Sequence, residues 1–200
     1  MTSLQNKYIS LKSIFAGIMI GLGGCVFLHC DNRYIGAFLF SFGLLSILNL
    51  EGLLYTGRIG FFEFHKDEMR DQALQYTIIL CGNMIGALLT GLLTLNLSST
   101  VFLDKLNKSY LELFISSFFC GVLMYLAVEL YKKKSNSLYV IMPIMIFILC
   151  GFDHCIANMY YFAINPVPAL QLRTLFFFII NIIGNSIGSI EIRYLLNGKL

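Results

Sequence analysis

The sequence is poor in charge. Only 12% of its 200 residues are charged, whereas 58% are hydrophobic, and the mean hydropathy is +0.77. A soluble domain of this size carries about 25% charged residues. The shortage of charge therefore excludes an ordinary soluble domain and indicates an integral membrane protein in contact with a lipid bilayer.

Long polar segments are also missing. Six apolar segments near the length needed to cross a bilayer occupy most of the chain: Leu11–His29, Tyr34–Phe62, Gln75–Leu97, Leu111–Tyr131, Leu138–Ala163 and Thr174–Leu196. The first is too long for the apolar part of a secretory signal and lacks a cleavage pattern. We predict a single transmembrane domain over residues 1–200, with no large catalytic domain outside the membrane.

The motifs of metal and cofactor enzymes are absent as well. Cys150 and Cys155 have no second cysteine pair that would complete a zinc site, and we interpret the cysteines as small apolar packing residues. Only His154 lies at membrane depth, whereas haem held within a helix bundle needs paired histidines; His29 and His65 lie at segment edges. We find no nucleophile–base pair or phosphate loop, and expect no enzyme, no cofactor and no metal.

Positive charge is distributed unevenly between the two sides of the predicted membrane. With six spans, the side of the termini holds ten basic residues: Lys7, Lys12, Arg58, Lys66, Arg70, Lys132, Lys133, Lys134, Arg193 and Lys199. The other side holds Arg33, Lys105, Lys108 and Arg173. This bias predicts cytoplasmic termini in a multi-pass protein of the plasma membrane. The net charge of +3 suits a membrane protein and requires no nucleic-acid partner.

A short motif occurs twice. "GNMIG" begins at Gly82 and "GNSIG" at Gly184, about half the chain apart. Three spans repeated as three spans predict a 3+3 inverted repeat with halves near residues 1–100 and 101–200, as in many transporters. The simpler interpretation is that glycines four residues apart allow two helices to approach closely.

The second span of each predicted half is interrupted. The first interruption is "LNLEGLLYTGR" (Leu48–Arg58), and the second is "CGFDHC" (Cys150–Cys155). Interrupted spans in corresponding positions of two halves indicate a permeation site near the middle of the membrane. Non-helical backbone is tolerated at that depth only where protein or water satisfies it.

Asp153 and His154 lie at the end of the second interruption. Histidine ordinarily titrates near pH 6.5, and an ionisable group at this depth usually faces a cavity or the bundle interior. We predict that His154 acts as a proton donor, acceptor or polar contact for a permeant; the alternative is a polar residue that holds two helices together. We predict that Asp153 supports it by capping the next helix. Asn158 shares a helix face with His154 and would line the same path or bond freed backbone.

These residues resemble a known family. "GFDHCIANMYYF" (Gly151–Phe162) is similar to the G-F-E-H-x-x-A-N-M signature of the formate–nitrite transporter family. "LLYTGR", "GNMIGAL" and "NIIGNSIGS" resemble further family motifs in the same order. The resemblance implies a homopentamer of six-helix protomers, each with an aquaporin-like outline and its own pore. It implies passage of small monovalent anions or their conjugate acids: formate, nitrite or hydrosulfide, and lactate in some relatives.

The resemblance also assigns roles by motif position. It places pore constrictions at Phe40, Leu44, Tyr55, Phe147 and Val128. His154 matches the central histidine and Thr56 the loop threonine, while Lys108, or alternatively Lys105, matches a lysine that draws anions into the outer vestibule. The chain departs from the family at Leu53, which replaces an acid, at Asp153, which replaces glutamate, and at Tyr125, which replaces an asparagine near the histidine. We expect Tyr125 to be a polar pore residue whose hydroxyl offers a hydrogen bond, or whose ring narrows the path.

A proton-linked mechanism follows from these positions. Desolvation disfavours the charged form of an anion, so a weak acid should cross an apolar constriction neutral, after receiving a proton from His154 directly or through water. The alternative is a neutral-solute channel of the water or glycerol type. For that class the chain offers a single "NPV" (Asn165–Val167) where two N-P-A motifs are expected.

Overall fold

The computed structural model describes residues 3–65, 67–94, 99–165 and 170–197, and within them the chain is helical. The helices are α1 (Ser3–His29), α2 (Arg33–Asn49), α3 (Tyr55–Arg58), α4 (Met69–Leu93), α5 (Val101–Leu106), α6 (Tyr110–Lys134), α7 (Leu138–Leu149), α8 (Cys155–Ile164) and α9 (Leu172–Asn197). A 3-10 turn, Ile59–Phe61, continues α3. The end of the third predicted span, Pro166 and Val167 of the "NPV" sequence, Lys66 and Lys199 lie outside the described residues.

Four helices are long and apolar enough to cross a membrane: α1, α4, α6 and α9. The shortest has 25 residues, or about 37 Å at 1.5 Å per residue, which exceeds a hydrocarbon core of about 30 Å. Helices α2 and α7 have 17 and 12 residues and are shorter than the about 20 residues that a helix needs to cross a bilayer. The predicted spans Tyr34–Phe62 and Leu138–Ala163 therefore each consist of two helical pieces separated by non-helical backbone.

The glycine motifs bring helices together in pairs. Helix α4 packs on α1, and α9 packs on α6. A Cβ atom on Gly82 would lie 2.5 Å from Cβ of Ser13, and one on Gly184 would lie 2.5 Å from Cβ of Ser117. Each approach is closer than any side chain allows, which confirms the packing role predicted for these glycines.

The two helix breaks are built alike. Helix α2 ends at Asn49 and α3 begins at Tyr55, whereas α7 ends at Leu149 and α8 begins at Cys155. Each break contains one residue in the left-handed region: Glu51, with φ of 56°, and Gly151, with φ of 68°. A left-handed residue turns the chain out of the preceding helix, at a cost of about 1–2 kcal/mol for a non-glycine residue such as Glu51.

A buried asparagine satisfies the freed backbone at each break. Asn83 accepts a hydrogen bond from Tyr55 N–H at 2.7 Å and donates to the carbonyls of Ser13 and Leu53. Asn185 accepts from Cys155 N–H at 2.9 Å and donates to the carbonyls of Ser117 and Asp153. The asparagines of the two glycine motifs therefore hold the ends of α3 and α8 in place.

Candidate permeation site

Two cavities enter the helix bundle from opposite ends. The larger has a volume of about 1060 Å³ and lies on the side of the N-terminal helix, where Leu4, Tyr8, Arg58 and Lys132 are among its lining residues. The smaller has a volume of about 250 Å³ and is lined by residues that include Arg33 and Lys105. Basic residues predicted to lie on opposite sides of the membrane thus line different cavities.

A layer of buried side chains separates the cavities. Leu44 and Val128 line the larger cavity, and Phe147 lines the smaller one. The ring of Phe40 meets that of Phe147 edge-on, with centroids 5.7 Å apart. The Phe147 ring stacks on the imidazole of His154 at 5.8 Å. Four of the five predicted constriction residues therefore lie on or between the two cavities.

His154 lies where the two broken elements meet. Its Nε2 atom is 2.8 Å from the hydroxyl oxygen of Thr56, in the short helix α3 of the first half. Both residues are buried, and His154 lines the smaller cavity. This contact is the polar link between the first interruption and the second.

The backbone fixes which nitrogen of His154 carries hydrogen. His154 is the N-cap of α8, and its Nδ1 atom accepts a hydrogen bond from Ala157 N–H at 3.1 Å. A nitrogen that accepts a hydrogen bond carries no proton, so the neutral ring carries its hydrogen on Nε2 and donates it to Thr56. The prediction that Asp153 caps this helix is wrong: the helix starts one residue later, and the imidazole is in reach of the free N–H groups.

Asp153 instead binds two lysines. Its carboxylate lies 2.6 Å from Nζ of Lys105 and 2.5 Å from Nζ of Lys108. It also accepts hydrogen bonds from Ser116 at 2.6 Å and Asn158 at 3.1 Å. Its side chain is fully buried, and a buried carboxylate is stable only when paired and hydrogen-bonded in this way. Asp153 supports the site as a counter-ion.

The two candidate lysines occupy different positions. Lys105 lines the smaller cavity together with His154, and its side chain is 14% exposed. Burial lowers the pKa of Lys105, while the Asp153 charge opposes that effect. Lys108 donates to Asp153, to Ser116 and to the Gly151 carbonyl, and it does not line the cavity. Of the two candidates, Lys105, the alternate choice, is therefore the lysine that faces the smaller cavity.

Asn158 lines the smaller cavity and donates to Asn181 at 2.8 Å as well as to Asp153. Asn181 in turn donates to Ser117 at 2.9 Å and to the Asp153 carbonyl at 2.7 Å. Asn181 and Asn185 were not among the predicted site residues. Their spacing of four residues in the apolar helix α9, which places both on one face, was the available signal.

Two predicted site residues lie away from both cavities. The hydroxyl oxygen of Tyr55 lies 2.9 Å from that of Ser186, and the ring centroids of Tyr55 and Tyr76 are 6.5 Å apart. Leu54, the neighbour of Tyr55, lines the larger cavity. Tyr125 packs against Phe61, with ring centroids 5.2 Å apart, and lines neither cavity.

The fold and sequence match a known group of membrane proteins. The family model described as formate/nitrite transporter matches residues 2–197. The chain belongs to the formate/nitrite transporter family. It is 28% identical to the uncharacterized transporter YwcJ of Bacillus subtilis, over 82% of this chain and 75% of the relative. It is 22% identical to the formate channel FocA of Haemophilus influenzae, over 69% of this chain and 56% of FocA.

Solved channel structures share the fold. A pentameric formate channel with formate bound superposes with a TM-score of 0.78 at 21% identity, covering 99% of this chain and 96% of the other. An ion channel of the formate/nitrite transporter family superposes with a TM-score of 0.72 at 21% identity, covering 94% and 86%. This member of the family is therefore a multi-pass membrane transport protein and not an enzyme.

Proposed function

We propose that the protein is a membrane channel for small monovalent anions of weak acids, with transport linked to protons through His154. Formate is the first expected substrate, followed by nitrite or hydrosulfide, since formate is the ligand named for two of the similar proteins. The observation that carries the proposal is the buried His154–Thr56 contact in the layer between the two cavities.

The layer opposes the passage of a bare anion. Transfer of a carboxylate-sized ion from water into an apolar interior costs on the order of 20 kcal/mol in the idealised limit. The side chains that would form the constrictions, Leu44, Val128, Phe40 and Phe147, offer no compensating charge. A neutral acid avoids most of this cost, so the anion should receive a proton before it crosses.

His154 can deliver that proton without a lasting charge. When an anion replaces Thr56 at Nε2, the Nε2 hydrogen passes to the anion while Nδ1 takes a proton from a hydronium ion in the smaller cavity, which leaves a water molecule. The ring ends neutral, as the Nδ1–H tautomer, and the permeant becomes the neutral acid. The ring then regains its first tautomer by exchange with water. The cost is the hydrogen bond from Ala157 N–H, which as a helix N-cap is worth about 0.5–2 kcal/mol.

The same proposal covers the assembly and its orientation. We infer six membrane crossings arranged as a 3+3 inverted repeat, because the two halves share their glycine contacts and their asparagine bonds at equivalent places. Cytoplasmic termini in the plasma membrane would direct the larger cavity to the cytoplasm, and Lys105 would attract anions from outside. A homopentamer is inferred from the pentameric channel of the same fold.

Proteoliposomes with an internal pH indicator test the proposal. Formate uptake should be faster at about pH 5.5 than at about pH 7.5, because the proton that Nδ1 takes up during transfer comes from hydronium ions, which are more abundant at the lower pH. His154→Asn should remove this difference, whereas the protein should keep its fold, since asparagine is itself a strong N-cap.

The matched variant is His154→Phe, which loses both the cap and the titrating ring. It should remove the pH dependence and also lower the free energy of unfolding by about 1 kcal/mol. Unchanged pH dependence in His154→Asn would refute the relay. Osmotic swelling that responds to neither formate nor pH would instead support the neutral-solute alternative.

A further inference from the structure

The smaller cavity is lined by two cationic side chains, Arg33 and Lys105, and by no acidic side chain among the described residues. By contrast, Glu51, Glu68 and Asp71 line the larger cavity beside Arg58 and Lys132. An excess of one sign of charge in a narrow cleft raises the local concentration of ions of the opposite sign. The question is which of the nearby cations is available to an anion.

The two lysines are largely occupied. Lys108 has three ammonium hydrogens and three acceptors: Asp153 at 2.5 Å, Gly151 carbonyl at 3.0 Å and Ser116 at 3.2 Å. Lys105 donates to Asp153 at 2.6 Å and to the Phe152 carbonyl at 3.5 Å. Both share one carboxylate, which cancels half of their combined charge.

Arg33 has no such partner. One guanidinium nitrogen, Nη2, donates to the carbonyls of Leu149 at 2.7 Å and Ile148 at 3.2 Å, at the end of α7. Within residues 3–65, 67–94, 99–165 and 170–197, no carboxylate lies within 4.0 Å of it, and its Nη1 and Nε hydrogens have no acceptor. Carbonyl groups orient the guanidinium but leave its full charge in place.

We propose that Arg33 is the residue that captures anions at the mouth of the smaller cavity. This inference rests on the proposed function. The two carbonyls of α7 hold the guanidinium over the cavity, and its remaining N–H groups donate hydrogen bonds to the incoming anion. Asp153 neutralises part of the charge of Lys105 and Lys108, so these lysines attract the permeant less strongly than Arg33 does. Arg33 lies at the exposed end of the path, and the anion then moves inward to His154.

Initial formate uptake into proteoliposomes should be compared at about 10 mM and about 150 mM ionic strength, equal on both sides. Arg33→Gln keeps an amide that donates to a carbonyl but loses the charge. We expect it to lower uptake about 3- to 10-fold at the lower ionic strength, and less than about 2-fold at the higher, because salt screens an exposed charge. Arg33→Lys should restore most of the uptake.

Arg173→Gln is the matched control. Arg173 also donates from Nη2 to a backbone carbonyl, that of Lys108 at 2.7 Å, but it does not line the cavity. Its replacement should change uptake by less than about 2-fold at either ionic strength.

Two results would overturn the inference. One is unchanged uptake by Arg33→Gln at low ionic strength. The other is an equal loss of uptake at both ionic strengths that Arg33→Lys does not restore. That pattern would mean that Arg33 only stabilises the end of α7 and does not attract anions. A wild-type protein that takes up no formate, nitrite or hydrosulfide would contradict the proposed function itself, and that measurement involves no variant.

Discussion

The two helix breaks have the same backbone arrangement but carry different side chains. In both, a left-handed residue ends one helix, and a buried asparagine from a glycine motif holds the start of the next. The residue before each restarted helix is Leu54 in the first half and His154 in the second. The residues one position earlier are Leu53 and Asp153, both buried.

Different residues therefore determine the backbone arrangement of a break and its chemistry. Glycine and asparagine supply the close approach and the backbone bonds in both halves. Only the second half adds an ionisable cap and a buried carboxylate with two lysine partners. The first half contributes the apolar wall through Leu54 and one hydroxyl through Thr56.

The largest effect should come from removing the buried charge that only the second break contains. Asp153→Asn leaves Lys105 and Lys108 partly buried without a carboxylate, and we expect it to lower the free energy of unfolding in mixed detergent micelles by about 3 kcal/mol or more. Adding Lys108→Met should recover at least about 1 kcal/mol, because one unpaired charge is removed. A cost below about 1 kcal/mol for Asp153→Asn would mean that the ion pairs do not hold this break.

The two asparagines allow a direct comparison of the backbone hydrogen bonds at the two breaks. Asn83→Ala leaves Tyr55 N–H and the Leu53 carbonyl without their bonds, and should cost about 2–5 kcal/mol in the same unfolding assay. Asn185→Ala should cost less, about 1–3 kcal/mol, because the Asp153 carbonyl keeps its bond from Asn181. The reverse order would show that Asn181 does not compensate for the loss of Asn185.

The smallest effect concerns a contact that only the first half makes. Arg193 binds Glu63 at 2.6 Å and the carbonyls of Gly60 and Phe62, which ties the end of the first break to α9. The hydrogen bond from Arg193 lowers the pKa of Glu63 below its ordinary value of 4.5. Its stabilising effect is therefore fully present above that value, and is lost as the pH falls through the lower pKa of the folded state.

Glu63→Gln should thus lower the melting temperature in detergent by about 1–2 °C at neutral pH, and the difference from wild type should shrink as the pH falls below 4.5. Glu191→Gln, also on the protein surface, is the control, because Glu191 forms no ion pair among the described residues. A difference that persists unchanged at low pH would rule out the charge of Glu63 as its cause.

Much of this arrangement could be predicted from the sequence. Apolar length identified the membrane segments, and the glycines of "GNMIG" and "GNSIG" identified the close helix contacts, because both properties are local. The interruptions lie where an acid and glycines fall within apolar segments. The motif positions of Phe40, Leu44, Phe147, Val128 and His154 all lead to the region of the two cavities.

The remainder depends on contacts between distant segments. Asp153 and His154 are both able to cap a helix, and the choice between them was decided by lysines about 45 residues away that bind Asp153. A one-residue difference of the same kind explains why Leu54, and not the predicted Tyr55, lines the larger cavity. The exact start of α3 decides which of the two side chains faces that cavity. Helix starts are set by such tertiary partners, and local propensity fixes them only to within a residue or two.

The layer of side chains between the two cavities has an electrical consequence. Water that fills the cavities from either face would confine the membrane voltage to the layer around Leu44, Phe147 and His154. An ion crossing that layer alone would experience nearly the whole potential, about 2.3 kcal/mol per 100 mV. A permeant that crosses as the uncharged acid experiences none of it, so flux through this layer would follow chemical gradients and disregard voltage.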